Sequence, residues 1–328
     1  MLTPLTHLSL NQNNPVMKTH FYLLLILTSL LLNVNAQQAG KISREDSLMN
    51  AMAAANPPEA AHTAIFASSR LILSETNETV KKGNLNFLVI HRFGDIGGPF
   101  GGGQTLFGLD NSSDIYIGFE YGLGNNLDIQ FGRSKFQQLI DLGLKYNIVH
   151  QSSDGSPVAI TLLGKAGLKP YKNDGSFSTY SDRFAYVAQA IIGHKFSKAF
   201  SIQLTPTFVN SNAALPNLPG NDKRFFALGA AARLKVTKRM GIVVDYAHSF
   251  SAFRSNSPVP NQFYDPIGVG IEIETGGHVF TINFSNAKAI SQSNYLSDTR
   301  SDIGKGEFRL GFTISRMFDL SGHKSSKK

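Results

Sequence analysis

Twelve ionisable side chains recur at alternate positions of short, otherwise apolar segments: Asp114, Glu120, Asp128, Asp141, Lys145, Lys165, Arg233, Lys235, Asp245, Glu272, Glu274 and Arg309. They carry both signs. Such a set either lines a water-filled passage and biases which solutes cross it, or pairs across a narrow space and closes it. In the clearest segment, Ile115, Ile117, Phe119 and Tyr121 share one face, with Asp114, Tyr116, Gly118 and Glu120 on the other. The next opposes Leu127, Ile129 and Phe131 to Asp128, Gln130 and Gly132, and a third opposes Ile140, Leu142, Leu144, Tyr146 and Ile148 to Asp141, Gly143, Lys145 and Asn147. Period-two alternation is the signature of a strand. Charges occupy the side that a soluble barrel would use for its core, so the pattern describes a barrel turned inside out, lipid outside and a polar interior. A charge on the lipid side would cost about 2–4 kcal/mol at mid-bilayer, which fixes the direction these twelve residues face.

Other residues with chemical potential are weaker. The glycine-rich run at 97–103 lacks the following Lys-Ser/Thr and helix of a phosphate cradle, and is expected to be a flexible outer loop or one folded into the lumen, where it would narrow a pore. Histidines 91, 150, 194, 248 and 278 show no paired-ligand spacing, and no haem-attachment motif exists, so ordinary strand-end or loop roles are expected and no cofactor is implied. A lipid hydrolase would require a serine, a histidine and an acid, such as Ser134, His248 and Asp245, to converge at the rim. No serine sits in a nucleophile-elbow phrase, so no enzyme is expected.

These side chains must be positioned by strands, placed near 85–93, 114–121, 127–133, 139–149, 157–168, 183–195, 200–209, 224–235, 240–249, 266–274, 278–285 and 307–317. Long connections rich in Gly, Ser, Asn and Pro fall at 94–113, 169–182, 210–223, 250–265 and 286–306. Short ones fall at 122–126, 150–156, 196–199, 236–239 and 275–277, with a single short exception at 134–138. That alternation matches a bacterial barrel with short periplasmic turns, long outer loops and an even strand number. The expected fold is all-β, one antiparallel transmembrane β-barrel of about twelve strands. Fourteen are allowed if residues 68–74, readable as a wall strand, a plug segment or a strap across the mouth, join the wall with one other. A soluble secreted sandwich is the fold alternative. Aromatics near strand ends, including Tyr121, Tyr146, Phe196, Phe200, Phe208, Tyr246 and Phe250, are placed to form interfacial girdles.

Residues 17–36, a basic start, an apolar run and Val34-Asn35-Ala36, have the order of a secretory signal peptide cut after Ala36. Residues 1–16 are polar and are expected to reflect a start assigned too far upstream. Residues 37–67 are expected to form a periplasmic leader, partly helical or disordered, 68–318 the barrel, and 319–328 a basic tail. With no cysteine in the chain there is no disulfide, no lipid-anchored cysteine after the cleavage site and no thiolate metal site. No other stretch is apolar enough for a membrane helix, which excludes a helical inner-membrane transporter. Thirty glycines, 24 phenylalanines and a charged fraction of only 16% suit β-structure with aromatic surfaces. The formal charge of +8 comes from scattered basic residues, so nucleic acid is not an expected partner.

Several phrases resemble a known family: His91-Arg92-Phe93-Gly94, Leu106-Phe107-Gly108-Leu109-Asp110, Gly118-Phe119-Glu120-Tyr121-Gly122, Gly132-Arg133-Ser134, and Asp141 with Lys145-Tyr146. Together they resemble uncharacterised outer-membrane β-barrel proteins of Bacteroidota, a domain of unknown function, over about residues 68–317. The resemblance implies an outer-membrane location and a single barrel, and no catalytic residues. Outer-membrane lipids, the barrel-assembly machinery during insertion, and a small-molecule solute are the expected partners. The last strand, with Phe308, Leu310, Phe312 and Ile314, resembles the aromatic-ended segment by which that machinery recognises clients. The leading expectation is passive or gated passage, or luminal binding, of small solutes, with loops 94–113, 250–265 and 286–306 gating or selecting. The alternative is a closed structural barrel that docks another envelope component.

Overall fold

The computed structural model describes residues 63–213, 223–257 and 262–321. The upstream start at 1–16, the signal peptide at 17–36, most of the leader and the last seven residues of the tail lie outside the described residues.

Alternating segments become strands because each can put its apolar residues on one side and its polar residues on the other. Twelve do so: β1 (Asn84–Asp95), β2 (Ser112–Gly122), β3 (Leu127–Ser134), β4 (Ile140–Val149), β5 (Ala159–Leu168), β6 (Phe184–Lys195), β7 (Phe200–Ser211), β8 (Arg224–Lys235), β9 (Met240–Phe250), β10 (Ile267–Thr275), β11 (His278–Ser285) and β12 (Arg309–Asp319). Each pairs antiparallel with its sequence neighbours, and β12 closes on β1 through a ladder running from Asn84↔Asp319 to Arg92↔Gly311. Closure satisfies every edge, which a sheet in hydrocarbon requires. The β1 ladder slips beside Arg92 against both neighbours, a bulge at the end where β1 leaves the wall.

The outer wall is apolar. Leu142, Leu144, Tyr146 and Ile148 of β4 are each about half exposed, and Phe226 of β8 is 65% exposed. Five long connections lie at one end of the barrel and five short turns at the other, with the 135–139 connection as the short one at the long-loop end. Aromatics mark both ends of the wall: Phe208 packs on Phe226 at 5.1 Å near the long loops, and Phe196 on Phe200 at 5.7 Å near the short turns.

Residues 68–74 are not a thirteenth strand. They form the buried tip of a hairpin inside the barrel, whose two arms meet at the Arg70↔Glu75 bridge, and insertion starts earlier than position 68, since Ile65 and Phe66 are already buried. The glycine-rich run does not enter the lumen. It folds back over the β1–β12 rim, where Gly97 N donates to Gly306 O (2.9 Å) and Ile96 N to Phe308 O (2.8 Å), leaving Phe100 78% exposed.

One inward contact explains two glycines. The Tyr116 ring lies flat against the wall over Gly118 and Gly132, and a Cβ at Gly132 would stand 1.9 Å from Tyr116 Oη. Gly132→Ala must therefore displace the ring and break its hydrogen bond to Asp141 (2.9 Å). The expected loss is about 1–3 kcal/mol, read as a lower urea midpoint for unfolding from lipid vesicles; an unchanged midpoint would show that the ring is free to move.

Candidate functional site: a lumen filled by two segments of the chain

The inner face of β2–β4 carries Asp114, Glu120, Asp128, Asp141 and Lys145, whereas β8 and β9 turn the small and apolar Ala227, Gly229, Ala231, Val243 and Ala247 inward, and β6 and β7 mix Val187 and Val209 with Gln189, Gln203, Thr205 and Thr207. Two segments fill the space between. The hairpin at 65–80 enters from the short-turn end, where Thr63 N donates to Gln151 O (3.0 Å) and Ser201 Oγ to Ile65 O (2.7 Å). The connection between β11 and β12 descends from the other end, with 289–297 buried throughout, including the helical turn Gln292–Tyr295. Leu71, Ile72 and Leu73 of the hairpin and Tyr295 and Leu296 of the loop pack with the small residues of β8 and β9.

Glu75 is the electrostatic centre of the hairpin. Its carboxylate meets Lys165 Nζ at 2.7 Å, Lys145 Nζ at 3.4 Å and Arg70 Nη1 at 3.4 Å, with all four side chains nearly or fully buried. Lys145 also donates to Glu78 O (2.9 Å) and Ser69 O (3.3 Å). Asp245 holds the hairpin tip by accepting from Ile72 N (2.9 Å), Leu73 N (3.0 Å) and Ser74 Oγ (2.5 Å), and Asp128 accepts from Val80 N (3.1 Å).

The loop segment is held by different members of the set. Asp114 accepts from Ile290 N (2.9 Å), and Arg309 donates to Asn286 O (2.7 Å) while pairing with Asp95 at 2.7 Å. Arg233, Lys235, Glu272 and Glu274 form their own cluster near the short turns, with Arg233 Nε to Glu272 at 2.6 Å, Lys235 to Glu274 at 3.5 Å, and Arg233 also paired with Glu274. Glu120 accepts from Asn86 (2.9 Å) and Asp141 from Tyr116. The charges therefore meet inserted backbone and side chains as often as one another, an arrangement that pairing across an empty lumen does not describe.

Arg92, absent from the twelve expected residues, joins the two insertions. Buried to 1% exposure, it donates to Ile72 O (3.0 Å) of the hairpin and to Ala287 O (2.9 Å) and Ala289 O (2.6 Å) of the loop. Its place in the inward series of β1, with Asn86, Leu88 and Ile90, was a usable signal, since an arginine in a spanning strand must face inward.

The serine, histidine and acid considered for hydrolysis are not brought together. Ser134 Oγ donates to Asp114, Asp245 is occupied by the hairpin, and His248 pairs with Asp265 at 2.9 Å. Among the described residues no three His, Cys, Asp or Glu side chains group as a metal site would need. His91 stacks on Phe312 and His278 on Phe280. At the long-loop end a cavity of about 350 Å³ opens above the inserted loop, lined by His248, Arg254, Phe263, Tyr264, Asp265 and Thr299, with Leu296 and Ser297 also in its wall. The neighbouring 169–183 connection is itself ordered: Asp182 accepts the Thr179 and Ser178 amides, which hold its carboxyl below the ordinary carboxylate range.

No curated protein matches the chain. Among solved structures, the NanC porin aligns at 8% identity and a TM-score of 0.45, covering 72% of this chain and 100% of its own. An outer membrane channel from Pseudomonas putida F1 aligns at 10% identity and a TM-score of 0.45, covering 74% and 98%. Likeness at that level carries nothing about this chain's activity. Residues 66–318 match the family described as a membrane bound beta barrel domain, DUF5777, and the chain belongs to that family.

Proposed function

We propose that the protein is an outer-membrane conduit for small hydrophilic solutes, closed at rest by its own chain and opened when the loop between β11 and β12 withdraws, with no chemistry performed on the solute. The supporting observation is the nature of the stopper. The lumen near the long loops is occupied by a connection anchored at both ends in the rim, so its withdrawal breaks none of the wall's ladder hydrogen bonds. The wall groups it would uncover, among them Asp114, Gln189 and Arg309, are polar and can be hydrated. A wall closed by its own apolar side chains would have no such movable part. The mixed charges then set solute preference once the path is open.

The ion-paired hairpin favours a second reading, a permanently closed barrel that docks an envelope component, because four buried charged groups are costly to separate. Conductance in planar bilayers distinguishes the two. Wild-type protein is expected to be mostly silent with brief openings, and a variant with 287–299 replaced by a short Gly-Ser linker to give steady current steps, folding of each being checked by heat-dependent gel mobility. Steady wide openings from wild-type protein would overturn the resting closure. Silence from the folded linker variant would transfer the assignment to the closed barrel.

A further inference from the structure

Three observations tie the hairpin to the loop, and a fourth ties the hairpin to the wall. Arg70 of the hairpin donates to Ile290 O (2.5 Å) of the loop. Arg92 donates to carbonyls of both. Leu71, Ile72 and Leu73 share one apolar cluster with Ala287, Tyr295 and Leu296. Glu75, which makes none of these contacts with the loop, holds Arg70 from the other side while itself clamped by Lys145 and Lys165. A continuous series of polar contacts therefore runs from the β4 and β5 wall through Glu75 and Arg70 to the loop backbone.

We infer that the N-terminal hairpin is the latch of the loop: the hairpin's residence in the lumen is what retains 286–297 there, so displacing it at the short-turn end releases the stopper at the opposite end. The inference rests on the proposed gating role of the loop and adds the device that controls it. The physical reason is the placement of the shared donors. When the hairpin leaves, Ile290 O loses Arg70, Tyr295 and Leu296 lose the apolar surface of 71–73, and Arg92 loses one of its three acceptors inside the barrel. The loop keeps wall contacts through Arg92, Asp114, Gln189, Ser249 and Arg309, but on the β1–β3 side these reach the buried stretch only at Ala289 O, from Arg92, and Ile290 N, from Asp114, the same short stretch that Arg70 holds from the hairpin. The latch therefore requires that these two buried segments, which share Arg92 and one apolar cluster, leave the lumen together.

The absence of cysteine from the chain makes the test direct. Ser293 is 7% exposed in the loop and Ser69 is 6% exposed in the hairpin. Ser293→Cys and Ser69→Cys, made separately, are reacted with a membrane-impermeant maleimide in phosphatidylcholine vesicles, each with and without Glu75→Gln. Both thiols are expected to react slowly in the parent background. Glu75→Gln is expected to speed both by at least tenfold, while Ser178→Cys in an exposed loop stays constant. If Ser69→Cys is accelerated and Ser293→Cys is not, the two segments are independent and the latch is refuted; constancy of both refutes it as well. Should Glu75→Gln fail the gel-mobility check for folding, Arg70→Met, which removes the hairpin's own donor to Ile290 O, carries the same expectation and the same refutation. The readout is reactivity rather than current, so coupled labelling with a silent linker variant would leave the latch standing and remove only the passage of solutes.

Discussion

Leu144→Arg is expected to lower the stability of the protein in a lipid bilayer by about 2–4 kcal/mol, one of the two largest effects anticipated for a single side chain. Leu144 lies mid-strand on the outer face of β4, is 53% exposed, and is flanked on that face by Leu142 and Tyr146, each about half exposed. Its cross-strand partners are Ile129 and Gly164, so an arginine there has neither a luminal route nor an acid opposite it. In water an exposed leucine exchanged for arginine would be neutral or mildly favourable. The cost arises only if hydrocarbon covers this face. Urea titration of folding into phosphatidylcholine vesicles measures it, with Phe100→Arg in the exposed glycine-rich loop as the comparison. Equal midpoints for the two variants would mean that the outer belt does not face lipid, and the inside-out reading of the alternation would fail with it.

The wall was legible because its physics is local. In β2, β3 and β4 a strict period of two separates Ile117, Phe119, Phe131, Leu142 and Leu144 from Asp114, Glu120, Asp128, Asp141 and Lys145, and one rule about charges in lipid orients them all. In β8 the rule loses its grip. Phe225, Ala227 and Ala231 face inward while Phe226 and Leu228 face outward, so both faces are apolar and no lumen can be read from them. That double-sided strand signalled that something apolar fills the barrel on this side. The filler is Ile72, Leu73, Tyr295 and Leu296, which come from segments without periodicity. Arg70 and Glu75 flank a four-residue stretch that reads equally as a wall strand, and 286–297 has the serine and asparagine content of an ordinary surface loop. Their destination depends on contacts more than a hundred residues away, such as Asp245 with Ile72 and Asp114 with Ile290, which no local pattern encodes. The expected luminal set was consequently read as wall facing water or wall facing wall, whereas much of it faces inserted chain.

Glu75 is where that inserted chain is most tightly held, and a double-mutant cycle tests it. Glu75→Gln removes the one carboxylate shared by Lys145, Lys165 and Arg70, leaving three buried cations around a neutral amide. Its expected cost is about 3–5 kcal/mol, the range for breaking a buried ion pair from one side. Lys145→Met is expected to cost less, roughly 2 kcal/mol, because Glu75 retains two cations and the methionine fills most of the lysine's volume, while the bonds to Glu78 O and Ser69 O are lost. The double variant should cost at least about 1 kcal/mol less than the sum of the singles, since each partner's loss relieves part of the strain left by the other. Urea titration from vesicles supplies all four corners of the cycle. Additivity would mean that Glu75 and Lys145 do not meet in the bilayer-resident protein, which requires the hairpin to lie outside the lumen at rest. A barrel in that state would have no latch, and its long-loop stopper would be held by wall groups such as Arg92, Asp114, Gln189, Ser249 and Arg309. Coupling of the expected size instead places a central charge of the lumen on a segment that is no part of the wall, as the proposed opening by backbone movement requires.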